Sequence, residues 1–154
     1  MTQSDIKIVP ATRGNIDQII KISKEAISAD WTMNFLFIEL DRKDAYFIAA
    51  KSDKEILGFA VFREVGDDGE LLQIATRKDA RQGGIGSVLL DSVLCHARDK
   101  SIGKVFLEVR QSNAVAIRLY EKFGFKALRV RKEYYNNPIE DALVMVFEEV
   151  GDHR

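Results

Sequence analysis

The stretch LLQIATRKDARQGGIGSVLL, residues 71–90, joins an apolar run to a glycine-rich segment and a periodic segment. The run Leu71–Thr76 is dominated by residues that favour β-strands. From Ile85 onward, apolar residues recur every four positions and Gly103 lies just beyond them, which is typical of a helix and its end. The stretch therefore predicts a strand, a loop and a helix in direct succession.

The loop RQGGIG, residues 81–86, combines features of a phosphate-binding site. Backbone N–H groups at the start of a helix have no partner within the helix, and glycines let a ligand approach them closely. A Walker loop would carry Lys after the last glycine, but Ser87 stands there, so nucleotide hydrolysis is not favoured. In a dinucleotide-binding fold the glycines follow the strand directly, whereas Arg77–Arg81 intervene here. A simple turn before a helix is the alternative interpretation.

The remaining chain alternates strand-like and helix-like segments around this stretch. Patterns of β-forming and helix-periodic residues predict strands over Asp5–Val9, Ala45–Ala50, Ile56–Val65, Val105–Val109, Phe125–Tyr135 and Ala142–Glu148, and helices over Asn15–Ala29, Trp31–Leu40 and Ala116–Phe123. Ser112 or Asn113 is the expected cap of the last helix. Together the segments predict an α/β fold of a single domain, residues 1–154, with a mixed central sheet of about seven strands and helices on both faces.

Composition excludes several classes of function. The 154-residue chain has 23 Lys and Arg residues against 24 Asp and Glu residues, so it lacks the electrostatic footprint of a nucleic-acid-binding protein. Cys95 is the single cysteine, which excludes an intramolecular disulfide, and only His96 and His153 accompany it, so no metal site is expected. Neither a basic, apolar leader nor a membrane-length apolar run is present, and we expect a cytoplasmic protein without membrane contact.

One carboxylate interrupts the apolar strand predicted over Val105–Val109. Burying an unpaired carboxylate costs several kcal/mol, so Glu108 should face solvent at the sheet surface or line a water-containing cleft. The alternative interpretation is a purely structural Glu108, solvated or paired with Arg110. The residues that follow Glu108, up to residue 125, favour the cleft interpretation.

The pattern Arg-x-x-Gly-x-Gly at residues 81–86, together with the passage over residues 108–125, resembles the GNAT acetyltransferase superfamily. Within it, the ribosomal-protein-alanine N-acetyltransferases and related Nα-acetyltransferases are most similar. The resemblance implies a GNAT-like sheet and direct transfer of acetyl from acetyl-CoA to the α-amino group of a protein N-terminus. A ribosomal protein is one candidate acceptor.

The resemblance also implies how the coenzyme is bound. In this family the strand before the loop pairs with the pantetheine arm, and the loop amides hold the pyrophosphate. These roles fall on Ile74, Thr76, Arg81, Gln82, Gly84 and Gly86, and Asn113 adds a contact to the coenzyme or an ordered water. Asn113 also suits a helix cap.

The resemblance implies that Glu108 is the general base and Tyr120 the acid that protonates the departing thiolate. The chemistry suits these residue types, because an α-ammonium must lose a proton before it attacks a thioester and a half-buried carboxylate can accept it. Tyr120 also fits a core aromatic residue. Cys95 follows Val93 and Leu94 within a helix, which predicts a buried, inert thiol and no covalent acyl carrier.

A peptide groove is implied for Trp31, Tyr134, Tyr135 and Asp141, although paired tyrosines at a strand end also suit plain cross-strand packing. Two other functions remain open. A small-molecule or lysine N-acetyltransferase of the same fold is one, and for a small amine a closed pocket built from residues 31–40 is expected. A non-catalytic CoA-binding module is the other.

Overall fold

Seven strands form one mixed sheet in the computed structural model, which describes residues 5–27, 32–81 and 83–149. The strands are β1 (Lys7–Pro10), β2 (Ala45–Ser52), β3 (Glu55–Val65), β4 (Asp68–Thr76), β5 (Lys104–Arg110), β6 (Lys126–Tyr135) and β7 (Glu140–Glu148). The α-helices of these ranges are α1 (Ile16–Ala26), α2 (Thr32–Leu40), α3 (Ile85–Asp99) and α4 (Ala114–Lys122). The strand order is β1-β2-β3-β4-β5-β7-β6. The predicted α/β fold is confirmed, although α1 ends at Ala26 and residues 28–29 of its predicted span lie outside the described ranges.

Two separate apolar cores cover the two faces of the sheet. Phe59 and Val61 of β3 pack in the core beneath α1 and α2, whereas Ala60 and Phe62 pack in the core beneath α3. Successive side chains of a strand point to opposite faces, so β3 contributes to both cores in turn. Helices on both faces were predicted from the sequence, and this arrangement confirms them.

The parallel pair β4 and β5 lies at the middle of the sheet and separates early. Its pairing covers three residues of each strand and ends at Leu71 and Leu107. β4 then continues along β3 as far as Thr76, while β5 continues along β7 as far as Arg110. The two strands therefore diverge and leave a wedge-shaped cleft between them.

A β-bulge at Leu72 marks the point of divergence. The register between β3 and β4 shifts between Leu71 and Gln73, so Leu72 has no direct partner on β3. A bulge bends its strand and increases the local twist. Beyond it, Gln73 is buried and its Oε1 accepts a hydrogen bond of 3.0 Å from the Ser23 hydroxyl of α1. This contact ties the diverging end of β4 to α1.

Cys95 lies exposed on the outer surface of α3, so the prediction of a buried thiol is wrong. Val93, Leu94 and Ala97 face the core. Because each helical residue is rotated by about 100° from the last, Cys95 falls on the solvent side even though its chain neighbours are apolar. The Arg98 guanidinium lies 3.9 Å from the Cys95 sulfur. Cys95 does not line the cleft.

The helices within the described ranges are all too short or too polar to cross a bilayer. Nor do the described residues bring together three His, Cys, Asp or Glu side chains in an arrangement that could hold a metal ion.

Candidate active site

The divergence of β4 and β5 opens a cleft of about 570 Å³. The end of α1, both diverging strands, the start of α4 and the hairpin formed by β6 and β7 supply its walls. Six of the residues predicted to act in a site line it: Ile74, Glu108, Asn113, Tyr120, Tyr134 and Tyr135. The fold thus brings together residues of β4, β5, α4 and the β6–β7 hairpin, which lie far apart in the sequence, around one cleft.

Glu108 leaves β5 on the face opposite to Leu107 and Val109, which are buried in the core beneath α3. Its side chain is 26% exposed, and Oε2 accepts a hydrogen bond from Nη1 of Arg131 on β6. The ion-pair partner is therefore Arg131, and the alternative pairing with Arg110 does not occur. Glu108 therefore lines a cleft, as the first interpretation expected, and is also salt-bridged, as the structural interpretation expected with a different partner. Its role as a base remains a prediction.

Arg110 instead holds the loop between β6 and β7. Its Nη1 donates to the Pro138 carbonyl at 3.0 Å and to Glu140 at 3.2 Å, and its Nη2 donates to the Asn136 carbonyl at 2.9 Å. The guanidinium also lies 4.5 Å from the centre of the Tyr135 ring, a cation–π distance. Arg110 thereby fixes the position of Tyr135 at the cleft.

Tyr134 and Tyr135 contact each other edge to face, with their ring centres 5.0 Å apart. The Tyr134 hydroxyl hydrogen-bonds to Glu108, and burial together with this hydrogen bond raises the pKa of Tyr134. Burial, followed by the negative charge of Glu108, raises the pKa of Tyr135 well above its ordinary value. Both phenols therefore keep their protons at neutral pH and remain hydrogen-bond donors.

Tyr120 of α4 belongs to the core and to the cleft at once. Its side chain is buried, its ring centre lies 5.8 Å from that of Phe125, and it contributes to the cleft wall. Burial raises the pKa of the Tyr120 hydroxyl, so the group stays protonated at neutral pH. The two interpretations of Tyr120 from the sequence are compatible.

Asn113 begins α4 as its cap, because its Oδ1 accepts a hydrogen bond of 3.1 Å from the Ala116 amide. This confirms the capping role expected from the sequence. The side chain also lines the cleft, and its contact with the coenzyme remains a prediction.

The two glycines assigned to coenzyme binding differ in their structural duties. Gly84 caps α3 with a φ of 82°, a left-handed conformation that strains other residues. A Cβ on Gly86 would lie 3.2 Å from Cδ2 of Leu119. Gly86 therefore lets α3 and α4 pack closely, and a bulky residue there would disturb packing as well as any bound phosphate.

The other predicted site residues lie outside the cleft wall or outside the described ranges. Thr76 ends β4, and Arg81 precedes the first turn of α3, so both lie along the route from the cleft to that helix. Asp141 is engaged within the hairpin, where Oδ1 accepts a hydrogen bond of 2.8 Å from the Glu133 amide. Trp31 and Gln82 fall in the segments that the structure does not describe.

The sequence matches the pattern of a known protein family. The pattern of the Acetyltransferase (GNAT) family matches residues 16–125, from the first residue of α1 to the residue before β6. The chain belongs to the GNAT acetyltransferase family. It is accordingly an N-acetyltransferase, as its sequence predicted.

Individual GNAT relatives resemble the chain over most of its length. An N-alpha-acetyltransferase of Sulfurisphaera tokodaii is 33% identical over 154 residues, which cover 92% of each chain. A ribosomal protein bS18-alanine N-acetyltransferase of Haemophilus influenzae is 30% identical over 135 residues, covering 85% of this chain and 90% of the relative. The crystal structure of the ribosomal-protein-S18-alanine N-acetyltransferase from Escherichia coli has a TM-score of 0.86 at 25% identity, covering 97% of this chain and 98% of that one.

The GNAT cleft has the chemistry that acetyl-CoA requires. Beyond Leu71, the backbone groups of β4 that face the cleft no longer pair with β5. These N–H and C=O groups can bond the amide groups of the pantetheine arm. The first turn of the 15-residue helix α3 offers backbone N–H groups and the positive end of a helix dipole, which suit the pyrophosphate. Gly84 places no side chain in the way.

Sequence reasoning missed two charged residues of this GNAT site, Glu70 on β4 and Arg131 on β6. Glu70 lines the cleft, and Arg131 pairs with Glu108. A signal for Glu70 existed, because it is a carboxylate at the start of an apolar strand, the same feature that singled out Glu108. No such signal existed for Arg131, which stands among several other charged residues.

Proposed function

We propose that this N-acetyltransferase transfers acetyl from acetyl-CoA to the α-amino group of a protein N-terminus, with Glu108 and Tyr120 as the reacting side chains. The observation that carries the proposal is that these two residues reach one cleft from opposite sides of the sheet. Glu108 leaves β5 on the face away from the α3 core, whereas Tyr120 packs in that core. An amine can thus arrive on one side of the thioester while the thiol departs on the other.

The reaction proceeds by direct attack. Glu108 accepts a proton from the α-ammonium, and the free amine forms a C–N bond with the thioester carbonyl carbon. The C–S bond then breaks, its electron pair goes to the sulfur, and Tyr120 donates the proton that completes the thiol. The nitrogen loses its surplus proton as the amide forms, which restores the Tyr120 hydroxyl, and Glu108 releases its proton to solvent. The products are an N-acetylated chain and free coenzyme A. The exposed Cys95 lies away from the cleft and has no part in this route.

An extended peptide suits the cleft better than a small amine does. One wall of the cleft is a hairpin that supplies the aromatic surface of Tyr134 and Tyr135. An aromatic ring with a hydroxyl group suits contact with a peptide backbone. Within the described ranges, α2 contributes no residue to the wall, so the closed pocket expected for a small amine has no support there. The names of the Sulfurisphaera and Haemophilus relatives point the same way, and a ribosomal protein is one candidate acceptor.

A peptide panel tests this function. Peptides with a free α-amino group, the same peptides with a blocked N-terminus and an internal lysine, and small primary amines are each mixed with acetyl-CoA. We expect thiol release only with free N-termini, and mass spectrometry should place the acetyl group on the α-nitrogen. Turnover of lysine or small amines alone would contradict the proposal. Binding of acetyl-CoA without any turnover would indicate a silent binding module.

Tyr135→Ala tests whether the hairpin binds the peptide. We expect KM for the peptide to rise by about tenfold while KM for acetyl-CoA changes by less than about twofold. Tyr135→Phe is the matched control, because it keeps the ring beside Arg110 and removes only the hydroxyl. Equal increases in both KM values would show that Tyr135 supports the fold and does not recognise the peptide.

A further inference from the structure

Glu70 stands on the same face of the sheet as Glu108, at the closed end of the cleft. Glu70 pairs in register with Phe106, and Glu108 lies two residues further along β5. Because residues two apart on a strand share a face, both carboxylates project to the side of the sheet that α1 covers. Both line the cleft. The negative charge of Glu70 also reaches Tyr134, whose pKa is raised by burial, by Glu108 and to a lesser extent by Glu70.

The charges around the cleft are balanced except at Glu70. Arg131 pairs with Glu108, and Arg110 pairs with Glu140. Among residues 5–27, 32–81 and 83–149, no Lys or Arg forms an ion pair with Glu70. Its side chain is partly buried. A carboxylate that is partly removed from water without a cationic partner reduces stability, so folding alone gives no reason for Glu70 to be charged.

A cation that enters the cleft therefore finds one carboxylate without a counter-charge. An ammonium near Glu108 meets a neutral pair, because the Arg131 guanidinium already balances that carboxylate. An ammonium near Glu70 meets a net negative charge in a partly dehydrated site, where a charged hydrogen bond is stronger than in water. The α-amino group of a peptide is such a cation at neutral pH.

We propose that Glu70 is a substrate-binding residue that holds the acceptor amine as an ammonium ion, while Glu108 removes its proton. The inference rests on the proposed function and deepens it, because it divides the two tasks between two carboxylates. Glu70 contributes binding and Glu108 contributes chemistry. The acceptor class is thereby a cationic primary amine, and an uncharged acceptor gains nothing from Glu70.

Glu70→Gln tests this division of tasks. We expect KM for the peptide to rise by about tenfold near pH 7, with kcat changing by less than about threefold. The difference in KM should shrink towards about pH 9.5, because the α-amino group titrates near 8 and then binds uncharged. Glu70→Asp, which keeps the charge, should retain the wild-type pH dependence.

The acetylated product separates charge recognition from cleft shape. It fills the same space but carries no ammonium, so its inhibition constant against the peptide should be the same for the wild type and Glu70→Gln. Glu64→Gln is the matched control, since it removes a like charge from the neighbouring strand β3, away from the cleft. We expect that control to leave every constant unchanged.

Four outcomes would overturn the inference: unchanged KM, a fall in kcat well beyond about threefold, equal increases in KM and in the product inhibition constant, or an increase in KM confined to peptides with Lys or Arg at the second position. The last would mean that Glu70 contacts a side chain of the substrate. Failure of the proposed function looks different. If the wild type acetylates only lysine or small amines, the N-terminal assignment fails, but KM for those amines still tests Glu70 because their nitrogen is also cationic.

Discussion

Glu108→Gln is expected to lower kcat by about a hundredfold or more at neutral pH, with the affinity for acetyl-CoA nearly unchanged. Glutamine keeps the shape of the side chain but cannot accept the proton of the α-ammonium. Steady-state kinetics with a peptide acceptor measures the loss, and calorimetry with acetyl-CoA shows that coenzyme binding persists.

The loss should diminish as the pH rises. The α-amino group has a pKa of about 8, so above that pH the substrate arrives as a free amine and no longer needs the base of the enzyme. The rate of the variant should therefore climb towards the wild-type rate between about pH 7 and about pH 9.5. A constant ratio of rates over that range would mean that Glu108 does not act as a base.

Arg131→Gln is the matched control for Glu108→Gln. It breaks the same ion pair but leaves the carboxylate in place, so its loss of activity should be much smaller. An equal loss in both variants would assign the effect to the geometry of the ion pair. Full activity of Glu108→Gln at neutral pH would place the base elsewhere, and Glu70, the other carboxylate that lines the cleft, would be the next residue to replace.

Tyr120→Phe is expected to lower kcat by about a hundredfold or more at every pH tested, without recovery at high pH. The missing hydroxyl acts on the departing sulfur, a step that deprotonation of the amine does not assist. Burial raises the pKa of Tyr120 above its ordinary value of 10.0. The wild type should therefore not lose activity through this group between neutral pH and pH 9.5.

Stability measurements make the Tyr120 result interpretable. Phenylalanine keeps the ring that packs against Phe125, so thermal unfolding of Tyr120→Phe should resemble that of the wild type. Recovery of activity at high pH, similar to that of Glu108→Gln, would contradict the assignment of Tyr120 as the proton donor. Unchanged activity would leave Tyr120 as a core residue only.

The sequence was sufficient to predict those features that depend on residues close together in the chain. Asn113 precedes a segment of helical periodicity, and a short polar side chain in that position accepts a hydrogen bond from the first turn. The strand from Leu71 to Thr76 and the helix from Ile85 were predictable for the same reason. The positions of Glu108 and Tyr120 at one cleft followed from the family resemblance, because nothing local joins them.

Long-range pairings could not be obtained from the sequence. The partner of Glu108 is Arg131, 23 residues away, and the contact arises because β7 inserts between β5 and β6. Neither the order of those strands nor the bulge at Leu72 has a signature in the residues themselves, since both depend on how the sheet assembles. That no Lys or Arg of the described ranges pairs with Glu70 has the same origin, because ion pairs across the cleft depend on how the strands assemble.

The three-residue ladder between β4 and β5 has a consequence for how long the folded protein persists. Within the sheet, this ladder joins strands β1–β4 to strands β5–β7. A coenzyme bound in the cleft would contact both sets of strands. Its binding would therefore raise the free energy of unfolding. At a hundredfold excess of ligand over its Kd, this binding adds about 2.7 kcal/mol to the free energy of unfolding. The protein with an empty cleft should therefore open more often to proteases than the protein with bound coenzyme.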